Sequence, residues 1–197
     1  MKTIGILGLQ GAVAEHVRQV EALGLNAVVV KKAAQLQDVD GLILPGGEST
    51  TMRKLIDRYE FFHALKAFHE AKKPIFGTCA GMVLVANELV DSEAAHLQIM
   101  DVTVKRNAFG RQIASFEANL DIDGLNEPFK AVFIRAPYIE RAGENVDVLA
   151  TYDGKIVAAK QGNVLASAFH PELTNDTRFL KLFVDMVKED SLTEYVG

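Results

Sequence analysis

Three short stretches of the chain carry the residue types that nucleophilic chemistry requires. The first is Gly77-Thr78-Cys79-Ala80-Gly81. Its glycine-x-nucleophile-x-glycine pattern is the turn on which α/β hydrolases mount a serine, here with cysteine in its place. A sharp strand-to-helix turn drives the nucleophile into strained backbone angles, and small flanking residues let the chain close up behind it. The side chain then stands clear of the sheet at a helix start, where partial positive charge favours thiolate over thiol. The backbone N–H of Ala80 is free to face a developing oxyanion. Cys79 is the single cysteine of the sequence, which excludes an intramolecular disulfide and a cysteine-rich zinc site. It is either a buried packing residue or the reactive centre.

A cysteine nucleophile needs a base, and the base needs an orienting group. His170-Pro171-Glu172 offers both within three residues. In extended chain, residues i and i+2 project to the same side, so the two side chains can meet. Pro171 fixes its own φ and holds His170 out of helical geometry. Alone, the tripeptide would be an ordinary loop with a solvated His and Glu; beside the cysteine turn it points to a Cys79–His170–Glu172 triad.

The third stretch is Pro45-Gly46-Gly47-Glu48-Ser49-Thr50. Two glycines admit close approach of a ligand and expose N–H groups suited to an anion or oxyanion. The phosphate-loop pattern is absent and no lysine follows; a tight turn capped by Ser49 or Thr50 is the plainer reading. Gln10 lies just after the first apolar run and could serve the same sheet edge. Arg106, in the polar segment 106–112, and Arg135, at the end of another apolar run, could clamp a carboxylate bidentately, with surface arginine as the alternative. His16, His63, His69 and His96 form no metal-binding spacing, so no metal site is expected and these histidines belong at the surface or core edge. Gly5, Gly8 and Gly11 miss the dinucleotide spacing, and the second strand ends in Lys31-Lys32 rather than an acidic residue for a ribose.

The elements that must position these groups follow from hydrophobic spacing. Residues 3–9, 27–30, 41–44 and 74–77 are short apolar runs, the mark of strands covered on both faces. In 12–23, Val13, Val17, Val20 and Leu23 recur at helical spacing, Glu15, Arg18, Gln19 and Glu21 fill the other face, and Gly24 supplies the stop. Residues 50–71 read as one or two helices with a break near Tyr59, and 80–89, apolar nearly all round, as a buried helix. Strands alternating with helices imply a parallel sheet with right-handed crossovers.

The second half predicts strands at 102–105, 113–120, 131–134, 146–152, 156–161 and 164–168. Asp123-Gly124 and Asp153-Gly154 supply turns between them, and an amphipathic helix covers 176–188. The expected fold is a single α/β domain over 1–197: a central, mostly parallel sheet flanked by helices, with a small antiparallel annex. His170 then falls at the carboxyl end of strand 164–168, where such sheets place their chemistry.

Composition narrows the function classes. Of 197 residues, 49% are hydrophobic and 24% charged, enough apolar matter for a core and too much for intrinsic disorder. No apolar run approaches the ~20 residues of a membrane span, and no signal peptide is visible at Met1-Lys2-Thr3-Ile4-Gly5. The net charge of −5 argues against nucleic-acid backbone binding. A soluble, cytoplasmic protein is the expectation.

In order along the chain, Gly8-Leu9-Gln10-Gly11-Ala12-Val13, Gly46-Gly47-Glu48-Ser49-Thr50, Gly77-Thr78-Cys79-Ala80-Gly81, Arg106-Asn107-Ala108-Phe109-Gly110-Arg111-Gln112, Phe133-Ile134-Arg135-Ala136-Pro137 and His170-Pro171-Glu172-Leu173 resemble the motifs of class I, triad-type glutamine amidotransferases. Within them the set is similar to the glutaminase-subunit (PdxT) family of pyridoxal 5′-phosphate synthase. Each motif is modest alone; together, from residue 8 to residue 173, they are highly specific.

The resemblance implies Cys79 as nucleophile, His170 as base and acid, and Glu172 as its orienting group. It implies glutamine binding by Gly47, Glu48, Ser49, Arg106, Ile134 and Arg135, and an oxyanion hole from the Gly46-Gly47 turn, the Ala80 N–H and Gln10. It implies no cofactor. It further implies L-glutamine as substrate and a separate synthase subunit as partner, a dodecameric core carrying twelve glutaminase subunits, docked through Gln10-Gly11 and the following helix.

Two rivals stand beside this reading. A cysteine hydrolase or peptidase on a similar scaffold would share the turn and triad but has no need of two arginines aimed at a small carboxylate. A non-catalytic module would have no need of an intact Cys79, His170 and Glu172.

Overall fold

The computed structural model describes residues 1–90, 92, 94–107, 109 and 114–193. The short apolar runs of the first half fold as β1 (Thr3–Leu7), β2 (Asn26–Val30), β3 (Gly41–Leu44) and β4 (Ile75–Thr78), linked by α1 (Val13–Ala22), α2 (Ser49–Arg58) and α3 (Phe62–Glu70). Burial on both faces explains the unbroken Val/Ile/Leu composition of β3 and β4, every residue of which is buried. The break expected near Tyr59 is present. Glu60 takes a left-handed φ of 59°, and the Phe61 amide donates back to Ile56 O at 2.8 Å, closing α2 before α3 begins.

Downstream lie α4 (Ala80–Val85), β5 (Ala86–Leu89), β6 (Met100–Lys105), β7 (Ser115–Leu120), β8 (Phe129–Ile134), β9 (Tyr138–Ala142), β10 (Asp147–Tyr152), β11 (Lys155–Gln161), β12 (Val164–Ser167) and α5 (Arg178–Thr193). The larger sheet runs β2-β1-β3-β4-β12-β11-β9-β6-β5, with β10 added on β11. Its first five strands are mutually parallel. Much of the expected antiparallel annex continues this same sheet through β11, β9 and β6, while β7 and β8 form a separate two-stranded antiparallel pair. Phe179 and Phe183 of α5 lie against Phe76 of β4, with ring centroids 5.6 Å apart in both pairs.

The structure corrects three expectations. Residues 80–89 are not one helix: the chain leaves α4 at Ala86 with φ −61° and ψ 142°, and Ala86 and Leu89 then face inward on either side of the less buried Asn87 and Glu88. An apolar run without clear period fits a buried helix and a buried strand equally well. Strand β9, rich in charge, was not anticipated, nor were the 3₁₀ turns at Ala33–Asp38 and Pro171–Leu173. Residue 113, the expected start of a strand, lies outside the described residues. Among the described residues no helix is long and apolar enough to cross a membrane.

Candidate active site

Parallel register brings the three chemistry-bearing stretches together. Leu44 pairs with Gly77, and Thr78 pairs with Ser167, so β3, β4 and β12 release their chains side by side at one sheet edge. Cys79 is the first residue beyond β4, and its amide donates to Ser167 O at 2.8 Å. Its backbone is strained, with φ 52° and ψ −103°. Glycine flanks are required on both sides. A Cβ on Gly77 would stand 2.5 Å from Gly81 O, and one on Gly81 would collide with Leu44 O. The opening amides of α4, Ala80 among them, have no intrahelical acceptor and remain available.

His170 follows β12, and its amide donates to Val132 O of β8 at 2.8 Å. Its Nδ1 stands 2.6 Å from Glu172 Oε1. The two meet as expected but not in extended chain, because Glu172 lies in the 3₁₀ turn Pro171–Leu173 that His170 caps. Cys79 sits close enough to the same imidazole to raise its pKa, and its Sγ approaches Ile134 O at 3.9 Å. All three side chains are buried, with Cys79 and His170 each 8% exposed and Glu172 5%. Burial by itself lowers the His170 pKa. Hydrogen bonds to Cys79 and Glu172, with their charges, outweigh it and push the value up to about 10, so the arrangement favours an imidazolium beside the sulfur.

A cleft of about 300 Å³ opens over Cys79, lined among others by Gly47, Glu48, Ser49, Arg106 and Arg135. Three lining residues other than glycine hold positive φ: Cys79 at 52°, Asn107 at 47° and Arg135 at 44°. Such strain gathers where geometry serves chemistry rather than folding. Arg106 and Asn107 follow β6, and beside them Phe109 packs on Phe116 and Tyr138 at 5.5 and 5.9 Å. Arg111 and Gln112, in the same polar segment, lie outside the described residues. Ile134 is 38% exposed and turns its carbonyl toward Cys79. A larger cavity of about 570 Å³ between β10 and α5 holds none of the predicted site residues.

The Gly46-Gly47 turn is pinned from two sides. A Cβ on Gly46 would collide with the His170 ring. Gln10 accepts the Glu48 amide at 2.9 Å, and the Ala12 amide donates to Gly46 O at 3.0 Å. The cap of α2 is Glu48, not Ser49 or Thr50. Its carboxylate accepts from the Thr50 and Thr51 amides at 3.1 and 2.7 Å and from Thr51 Oγ1 at 2.6 Å. The Thr51 hydroxyl contributes most to holding its pKa down at about 2.

Two side chains on α1 lie deeper than their chemistry suggests. His16, expected at the surface or core edge, is 1% exposed and lies behind Glu172, with Nε2 3.7 Å from Oε2. Gln19, assigned to the polar face, is buried and donates to Pro171 O and Thr174 O at 2.8 Å each. Helical spacing held the signal: His16 is three residues from Val13 and four from Val20, within the apolar stripe. Among the described residues no group of three or more His, Cys, Asp or Glu could hold a metal ion.

The chain matches the SNO glutamine amidotransferase family over residues 6–189. It is 58% identical to a pyridoxal 5′-phosphate synthase subunit PdxT of Bacillus cytotoxicus over 196 residues, the full length of both chains. It is 60% identical to a protein of the same description from Geobacillus kaustophilus, covering 94% of this chain and 95% of that one. A crystal structure of a glutamine amidotransferase superposes with a TM-score of 0.90 at 43% identity, covering 94% of this chain and 98% of the other. PurLQS of Thermotoga maritima, at 15% identity and a TM-score of 0.70 over 93% and 97% of the two chains, shares the fold. A family match over nearly the whole length and relatives at about three-fifths identity leave one placement: the chain belongs to the SNO glutamine amidotransferase family.

Proposed function

We propose that this chain is the glutaminase subunit of a pyridoxal 5′-phosphate synthase, hydrolysing L-glutamine to glutamate and ammonia through Cys79, His170 and Glu172. The observation that carries the reading is the meeting of a strained Cys79 with a buried His170–Glu172 pair at adjacent strand ends. Full-length relatives described as PdxT subunits support the physiological role.

The Cys79 thiolate attacks the side-chain amide carbon of glutamine, forming a C–S bond and a tetrahedral oxyanion. Donors from Ala80 and the Gly46-Gly47 turn hold that oxygen, each worth about 2.7–4 kcal/mol. The His170 imidazolium gives its proton to the amide nitrogen, the C–N bond breaks, and ammonia leaves. Neutral His170 then takes a proton from water, whose oxygen attacks the γ-glutamyl thioester, releasing glutamate and returning the sulfur. Glu172 keeps the ring in register throughout. Arg106 and Arg135 engage the α-carboxylate, selecting a free amino acid over a peptide. Gly47, Ser49 and Ile134 line the rest of the glutamine site, and Glu48, its carboxylate committed to α2, holds the turn.

Ammonia is useful to a synthase only while unprotonated, so it passes directly to the partner subunit. Twelve copies of this chain on a dodecameric core, docked through Gln10-Gly11 and α1 in the cytoplasm, complete the proposal. Glutamine labelled with ¹⁵N in its side-chain amide tests it. The chain together with its synthase partner transfers label into pyridoxal 5′-phosphate in the presence of excess unlabelled ammonium, and Cys79→Ser abolishes the transfer. Unlabelled product from the wild type, or full transfer by Cys79→Ser, overturns the proposal.

A further inference from the structure

Glu172 is buried, yet half of its carboxylate is unused. Oε1 takes the 2.6 Å contact with His170, while Oε2 has no hydrogen-bond partner. A buried carboxylate oxygen without a donor is costly and calls for an account. His16 Nε2 stands 3.7 Å from that oxygen and 3.4 Å from Thr78 Oγ1, a fully buried hydroxyl directly before Cys79. One turn along α1, Gln19 ties the same helix to the Pro171–Leu173 turn through two 2.8 Å bonds. The inward face of α1 thus abuts the back of the His170–Glu172 pair.

Four groups face the His16 ring: Glu172 and His170 beyond it, Thr78 at the end of β4, and Glu15 on its own helix. Burial holds its pKa below the ordinary value and the neighbouring His170 adds to this, against the pull of Glu172 and Glu15. At neutral pH the ring is therefore uncharged and has one N–H to give.

We propose that His16 is a positioning residue of the site, donating Nε2–H to Glu172 Oε2 and so holding the carboxylate square to His170. The assignment rests on the Cys79–His170–Glu172 reading above. At 3.7 Å the contact is longer than a hydrogen bond; catalytic contacts that are long in an unliganded site tighten when substrate binds.

Two amide variants separate this role from simple packing, because Gln carries its amide nitrogen near the place of Nε2 and Asn near that of Nδ1. Each is assayed for glutamate release in complex with the synthase partner. His16→Asn lowers kcat about 10- to 100-fold, the worth of one hydrogen bond to a charged group, with KM held within about twofold. Its alkaline limb moves to lower pH, because a loosened Glu172 supports less imidazolium on His170. His16→Gln restores most of the rate. Equal rates and equal pH profiles for the two variants overturn the proposal, as does a loss that follows melting temperature in both.

Glu172→Gln in the same assay tests the underlying reading separately. If that change leaves turnover intact, the triad fails; if it lowers turnover about 30-fold or more while His16→Asn has no effect in the wild-type background, only the His16 role fails. Nitrogen NMR of the unmodified protein decides the point even where variants do not fold: a proton on His16 Nε2 supports the proposal, and one on Nδ1 alone overturns it.

Discussion

Replacing Glu172 with Gln keeps the outline of the side chain and removes its charge. Burial alone drives His170 toward its neutral form, and its hydrogen bonds to Cys79 and Glu172 reverse this, raising its pKa from 6.5 to about 10. That difference is worth about 5 kcal/mol of imidazolium stabilisation. Cys79 and Glu172 also offset the desolvation between them, so losing one partner costs at least about 2–3 kcal/mol, or at least about 30- to 150-fold in a step that needs the protonated ring. The assay is glutamate release with the synthase partner at saturating glutamine, followed from about pH 6 to about pH 10.5.

Wild-type activity falls on the alkaline side as His170 loses its proton, and in Glu172→Gln this limb moves down by about 2 pH units. Folding stability follows the same linkage. A raised histidine pKa contributes stability that is fully present below 6.5 and disappears as pH rises through about 10. The variant is accordingly most destabilised in acid and matches the wild type above that range. A folded Glu172→Gln protein with turnover within twofold of wild type and an unmoved alkaline limb would show that Glu172 does not set the charge of His170.

Other changes probe the supports of the site. Gly46→Ala sets a methyl group against the His170 ring; turnover falls at least about tenfold while circular dichroism stays native, from a displacement of the base by a fraction of an ångström. Arg135 holds a φ of 44°, so Arg135→Gly melts higher than Arg135→Ala by the equivalent of about 1 kcal/mol, although both raise KM for glutamine. Equal melting temperatures would mean that the backbone there is relaxed. Glu48→Gln weakens the cap of α2, costing about 1 kcal/mol at neutral pH for so exposed a carboxylate. Because the Glu48 pKa is lowered from 4.5 to about 2, its contribution is present above 4.5 and lost as pH falls through about 2; denaturation curves of variant and wild type converge there.

The parts of the site set by local chain geometry were legible in the sequence. A cysteine between glycines, after one apolar run and before another, reads as a crowded turn, and Gly77 and Gly81 prove unable to carry a Cβ. Strand β12 was legible because a strand buried along its whole length leaves an unbroken apolar run, whereas the 3₁₀ turn after it was not. What could not be read depends on long-range packing. Nothing local to Tyr138–Ala142 marks it as a strand; its place comes from β6 and β11 on either side. The helix-to-strand change at Ala86 is likewise decided by pairing with β6. His16 and Gln19 were misassigned for another reason: their chemistry spoke for solvent while their helical phase spoke for the core, and the 3₁₀ turn that receives them lies about 150 residues away.

In the proposed reaction one sulfur, that of Cys79, takes the γ-glutamyl group from glutamine. A glutamine-mimicking electrophile such as a diazoketone analogue, incubated with the chain in the presence of its synthase partner and followed by peptide mass spectrometry, tests it most directly. The expected result is a single adduct on Cys79, lost in His170→Asn and blocked by excess glutamine. Modification at another residue, or none while glutamate is still being released, would contradict it.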